Sequence, residues 1–140
     1  MNTIDTVAVA SRSFSKNDDL VKNLQSKYSS VIFNNFGKTL QGDDLVNFLM
    51  PATKAIIGIE ELTEPVLAKL SKLKVVSKYG VGLNNLDLKL LKKRNIRLGF
   101  TAGVNKQSVA ELTLTLIPVS YTHLRAHETE ADLVCRLLLE

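Results

Sequence analysis

The amino-acid sequence predicts an α/β fold, a parallel sheet with helices on both faces. Two observations carry this reading. Short runs rich in β-branched residues alternate five times with amphipathic stretches of helical period. Parallel strands need crossover helices of this kind, and the apolar centres of Lys54–Gly58 and Lys74–Ser77 suggest strands covered on both faces. At 140 residues, 45% hydrophobic and 23% charged, with no internal repeat, the chain is of a size and composition for one compact domain.

Taken in order, Thr6-Val-Ala-Val-Ala10 is the first strand, and Ser15-Lys-Asn-Asp18 forms a capping-box-like start to a helix carrying Leu20, Val21 and Leu24. Ser30-Val-Ile-Phe33 is the second strand. Asp43 and Asp44 open a helix with Leu45, Phe48 and Leu49 on one face, and Pro51 stops it. The third strand, Lys54–Gly58, precedes a helix opened by Thr63 with Pro65 in its first turn and Val66, Leu67 and Leu70 on its apolar side. Strand four, Lys74–Ser77, ends at a glycine loop. Leu86–Lys93 is helical by pattern, Ile96–Leu98 is a fifth strand, and the Ser108-x-x-Glu111 spacing marks the start of a last helix.

No apolar run approaches the roughly 20 residues that cross a bilayer, and Met1-Asn2-Thr3-Ile4-Asp5 lacks the plan of a signal peptide, so a cytoplasmic protein without a membrane partner is expected. The 18 basic and 14 acidic residues leave a mild +4. Lys89, Lys92, Lys93, Arg94 and Arg97 cluster among leucines as on a solvated helix face, and no nucleic-acid partner is expected. One cysteine excludes an intramolecular disulfide and a multi-thiolate metal site within the chain.

Both histidines, His123 and His127, and the cysteine, Cys135, lie after Ile117. There the run Ser120-Tyr-Thr-His-Leu124 resembles a sequencing adapter translated in frame, and Leu133-Val-Cys-Arg-Leu-Leu-Leu139 resembles the flow-cell primer that follows it. Residues 118–140 are therefore expected to be an adapter-derived, non-native tail, with the natural sequence stopping near Ile117. The i, i+4 pair His123 and His127 mimics a zinc site, but Glu128 follows the second histidine and no third ligand is evident. No metal site is expected.

The loop Lys78-Tyr-Gly-Val-Gly-Leu-Asn-Asn85 places two glycines where a strand should end. Glycine admits positive φ and close approach to backbone N–H groups, so the loop is either a tight turn or a cradle for an anion such as a carboxylate. It is not a dinucleotide fingerprint, because Asn85 stands where the third glycine of Gly-x-Gly-x-x-Gly belongs.

Leu73-Lys-Val-Val-Ser-Lys-Tyr-Gly-Val-Gly-Leu-Asn-Asn-Leu-Asp87, followed by Asn95-Ile-Arg-Leu98 and Thr101-Ala-Gly-Val-Asn-Lys-Gln-Ser-Val-Ala-Glu-Leu-Thr113, resembles the D-isomer-specific 2-hydroxyacid dehydrogenases, phosphoglycerate dehydrogenase-type members above all. Asn84 and Ala102 stand where the family usually has aspartate and proline. The resemblance implies that residues 1–117 are the N-terminal part of a flavodoxin-like substrate-binding domain, incomplete here. The parent enzyme would move a hydride between NAD(H) and a D-2-hydroxy or 2-keto acid, as a homodimer or higher homo-oligomer. Backbone amides of Gly80, Val81 and Gly82 would bind the substrate carboxylate, and Val81, where the family often has a hydroxyl residue, would touch the cofactor. Gly82 is the position where a bulkier residue is expected to block the acid. Gly58 and Ile59 lie beside the same pocket or serve packing alone. The family's catalytic arginine, glutamate and histidine belong beyond Ile117, so no residue here is expected to be catalytic and the fragment is expected to be inactive by itself.

The alternative is a flavodoxin-like ligand-binding or corepressor-like module without catalysis. A phosphorylatable receiver is disfavoured, because Ser11-Arg-Ser13 and Ile59-Glu-Glu61 occupy the places of its acidic residues.

Overall fold

The computed structural model of the chain describes residues 5–117. It divides into two compact units, Met1–Ala102 and Gly103–Glu140, each taken by itself. In the first, β1 (Thr6–Val9), α1 (Arg12–Ser15), α2 (Asp18–Lys27), β2 (Ser30–Phe33), α3 (Gly42–Leu49), β3 (Lys54–Ile57), α4 (Glu64–Lys69), β4 (Val75–Lys78), α5 (Leu88–Lys93) and β5 (Arg97–Gly99) follow in order. The five strands form one sheet in the order β2-β1-β3-β4-β5, and every pairing is parallel. In the second unit, residues 106–117 are helical.

Side chains alternate across a strand, so the register shows what covers each face. Ala8 pairs with Ala55 and Ala55 with Val76. This row lies under Leu45 and Leu49 of α3, Leu67 of α4 and Leu90 and Leu91 of α5 in one apolar core. Each fully buried leucine contributes about 1.5–3 kcal/mol of transfer free energy. Val7 and Val9, on the opposite face of β1, are buried as well.

Burial on both faces is therefore most complete on β1 rather than on the third and fourth strands. Ile56 of β3 and Ser77 of β4 remain half-buried.

Two helix starts differ from the sequence expectation. Ser11 caps α1, its Oγ accepting from the Phe14 amide, so Ser15 is already helical and its hydroxyl donates to the Ser11 carbonyl at 3.0 Å. The cap of α2 falls instead to Asn17, whose Oδ1 accepts from the Leu20 amide at 3.1 Å. Ser108 likewise lies inside its helix, the first turn of which starts from the Asn105 carbonyl accepting the Val109 amide at 3.0 Å. Glu111 accepts from Gln107 Nε2 instead of closing a capping box.

At the start of the sheet, Lys54 Nζ lies 2.8 Å from Asp5 Oδ2 and 4.7 Å from the Tyr28 ring centroid. The Lys54 hydrogen bond holds the Asp5 carboxyl below the usual carboxylate range, and Asp5 holds the Lys54 ammonium above its ordinary value. A depressed carboxyl stabilises the fold above its unfolded value and loses that contribution as pH falls through the folded one. The urea midpoint of Asp5→Asn is expected to lie slightly below that of the parent chain near neutral pH. The two should converge in acid below the usual carboxylate range. The difference is small because the pair is solvent-screened.

Candidate substrate-binding site

The strand order 2-1-3-4-5 reverses between β1 and β3, and in open parallel sheets ligands bind beyond the carboxyl ends of strands at such a switch point. The segments that leave those ends here are Ser11–Lys16 after β1, Gly58–Glu61 after β3 and Tyr79–Asn85 after β4. They enclose two adjoining hollows. One, of about 330 Å³, is bordered by the glycine loop, and the other, of about 510 Å³, opens toward Ser11–Lys16. Gly58, Ile59, Tyr79 and Gly80 line both. A third hollow of about 440 Å³ at the β2 edge, walled by Phe36, Leu40, Phe48 and Pro51, shares no residue with them and is mostly apolar.

The glycine loop is fastened from below. Lys78 Nζ donates to the Gly58 carbonyl and, at 2.6 Å, to Asn85 Oδ1. Asn85 Nδ2 donates to the carbonyls of Gly58 at 3.2 Å and Glu60 at 2.6 Å. Glu60, only 1% exposed, turns its carboxylate back to accept the Gly58 amide at 2.6 Å. Burial pushes the Lys78 ammonium below its ordinary value, while the Glu60 carboxylate pulls the other way. Asp87 closes the loop by capping α5, accepting from the amides of Lys89 and Leu90.

Above this clamp the N–H groups of Gly80, Val81 and Gly82 donate to no acceptor among the described residues. All three residues are exposed to the cleft and to solvent. Gly80 takes φ +135°, a conformation open to glycine. Gly82 does not have positive φ, and a Cβ built there meets nothing within 4 Å, so the strain considered for the loop falls on Gly80. Ile59 is exposed at the rim and Val81 is 47% exposed. Gly58 has a steric reason of its own, since a Cβ there would lie 2.9 Å from Ser11 Oγ.

The sequence pattern thus placed Gly58, Gly80, Val81 and Gly82 together but missed Lys78, Glu60 and Ser11 as parts of the site. A charged residue directly following Gly58-Ile59 was the available signal for Glu60. Nothing local announces that it is buried. The basic cluster around α5 is a wet face, as expected, with Lys89, Lys92, Lys93, Arg94 and Arg97 all exposed and Leu90 and Leu91 turned inward. Leu88, in the first turn of the same helix, is 48% exposed. His123, His127 and Cys135 lie outside the described residues.

The family model described as "D-isomer specific 2-hydroxyacid dehydrogenase, catalytic domain" matches residues 7–135. The chain belongs to this family. The range of the match runs past Pro118 into the segment expected to be adapter-derived. Among curated members, the hydroxypyruvate reductase of Thermotoga maritima is 26% identical over 86 residues, 61% of this chain and 28% of that protein.

Two solved 2-hydroxyacid dehydrogenase structures share the fold. The NAD+-bound 3-phosphoglycerate dehydrogenase of Entamoeba histolytica superposes with a TM-score of 0.64 at 19% identity, over 81% of this chain and 38% of that one. The D-lactate dehydrogenase of Aquifex aeolicus, complexed with NAD and lactic acid, gives 0.63 at 23% identity, over 81% and 32%. The chain therefore spans well under half the length of these dehydrogenases. Among the described residues no helix is long and apolar enough to cross a membrane, and no cluster of side chains could hold a metal ion.

Proposed function

We propose that this chain is the N-terminal part of the substrate-binding domain of an NAD-dependent D-2-hydroxyacid dehydrogenase, and that the Gly80-Val81-Gly82 loop receives the carboxylate of the 2-hydroxy or 2-keto acid. The observation that carries this reading is the set of three loop amides with no acceptor among the described residues, held at the carboxyl end of β4 beside the switch point. Fixed N–H dipoles in such a loop stabilise an anion without reorganising when it binds. Family membership supplies the reaction class, and NAD is named as bound in the Entamoeba histolytica and Aquifex aeolicus structures.

For the cofactor these residues fit a wall rather than a cradle. The sequence holds no Gly-x-Gly-x-x-Gly, and only Val81, through its backbone and methyl groups, is offered to a dinucleotide. NAD(H) would supply the hydride. What this chain does is orient the acid by its carboxylate and keep the floor of the loop rigid through Lys78, Asn85 and Glu60. The groups that exchange the hydroxyl proton lie, in this reading, on native sequence beyond Ile117. We place the parent enzyme in the cytoplasm as a homodimer or higher homo-oligomer.

We also assign residues 118–140 to adapter DNA, on the agreement of reading frame across the Ser120–Leu124 and Leu133–Leu139 runs. Amplification and sequencing of the source locus across Ile117 is expected to show a different continuation that reaches a Gly-x-Gly-x-x-Gly. Native DNA encoding Val119–Glu140 overturns the assignment. The full-length product is expected to reduce 2-keto acids such as glyoxylate or hydroxypyruvate with NADH. A folded full-length protein inert toward every small 2-keto acid tested overturns the functional reading.

A further inference from the structure

The larger hollow is not needed to hold a carboxylate on the glycine loop, yet it is continuous with that loop through Gly58, Ile59, Tyr79 and Gly80. Its far side carries two cations, Arg12 and Lys16, together with the hydroxyls of Ser11 and Ser13, which lie 3.3 Å apart.

Neither cation has a carboxylate partner among the described residues, whereas Lys38, Lys54 and Lys69 are paired with Asp44, Asp5 and Asp43. Arg12 spends one N–H on the Gly37 carbonyl at 3.4 Å, which leaves the rest of its five-donor fork unengaged. The acidic group lining this hollow, Glu60, is buried with its Oε2 accepting the Gly58 amide.

The wall between the two hollows is fixed, because the Tyr79 ring meets Phe14 edge-on at 5.3 Å and 80°. Phe14 and Arg12 share α1, so the element that braces the loop also carries the cation.

We propose that the acid bound here carries a second anionic group remote from its reacting carbon, a phosphate or a carboxylate, which Arg12 and Lys16 hold while the 2-carboxylate rests on the glycine loop. The exposed Ser13 hydroxyl then borders the path between the two anions, while Ser11 and Glu60 stay buried beneath it. This rests on the carboxylate reading of the loop.

The test is amide-resolved NMR titration of the 140-residue chain and of an Arg12→Ala/Lys16→Ala variant, both side chains being exposed. The probes are D-lactate, D-malate, 3-phospho-D-glycerate and inorganic phosphate. D-Lactate is expected to shift only residues 80–82. The two dianionic acids should shift residues 11–16 as well and bind at least about tenfold more tightly than D-lactate, an advantage that the double variant loses while its D-lactate affinity is unchanged. The larger gain of the two identifies phosphate or carboxylate as the second group.

Equal affinity for all three acids, or an advantage that survives in the variant, overturns the proposal. Phosphate shifting residues 11–16 while no acid touches 80–82 supports the anion site and removes the loop reading. No shift at 11–16 with any probe removes the anion site whatever the loop does.

Discussion

Titration calorimetry of the 140-residue chain with NADH is expected to show no micromolar binding, and incubation with NAD and a D-2-hydroxy acid no turnover. Hydride transfer requires a nicotinamide held within contact distance of the substrate carbon, and positioning of that kind accounts for about 7–11 kcal/mol of an enzyme's barrier reduction. In the proposed reading, a chain with no Gly-x-Gly-x-x-Gly, matching 38% of the length of the NAD+-bound 3-phosphoglycerate dehydrogenase, supplies one wall of the cleft without the loop that fixes the dinucleotide. The effect is all-or-none, and micromolar NADH binding by the purified chain refutes it.

In the full-length enzyme, Gly82→Val is expected to lower kcat/KM for the acid by about tenfold to a hundredfold, with little change in NADH affinity. A lost charge-assisted hydrogen bond is worth roughly 1.5–3 kcal/mol, and in the proposed binding mode the valine methyls would stand where the carboxylate approaches. Because Gly82 lacks positive φ and has open space at its Cβ, the variant should fold with a Tm close to the parent's. Gly80→Val is the contrasting variant. Its φ of +135° puts about 1–3 kcal/mol of backbone strain on the fold itself, so it should lower Tm as well as activity. Lys93→Ala, on the wet face of α5, should change neither by much. Steady-state kinetics with circular dichroism on the three variants decides the matter. A folded Gly82→Val enzyme with full kcat/KM reduces the loop to a turn.

Much of the architecture was legible because its signals are local. Val7, Val31, Ile32, Ile56 and Val76 mark strands by their branching, Pro51 and Pro65 punctuate α3 and α4, and the alternation itself requires parallel pairing. The four-residue α1 was not legible, since one turn has no period to detect, and its capture of Ser11 displaced the cap expected at Ser15. The glycine loop could be found by its spacing, but its clamp could not. Asn85 reaches the Glu60 carbonyl 25 residues away and Lys78 reaches the Gly58 carbonyl 20 residues away, contacts that exist only once β3 and β4 are in register. Which glycine carries the unusual φ was equally hidden, because both candidate positions are glycine and either could adopt it.

The contact between Gly58 and Ser11 ties the exit of β3 to the cap of α1. With 2.9 Å between a notional Cβ at residue 58 and the Ser11 hydroxyl, and 3.3 Å to Ser11 Cβ, an alanine there would push the Ser11 side chain aside. Position 58 is thus kept small by the hydroxyl that caps α1, so a larger residue there is expected to disturb that cap before it alters the groups that line the cleft.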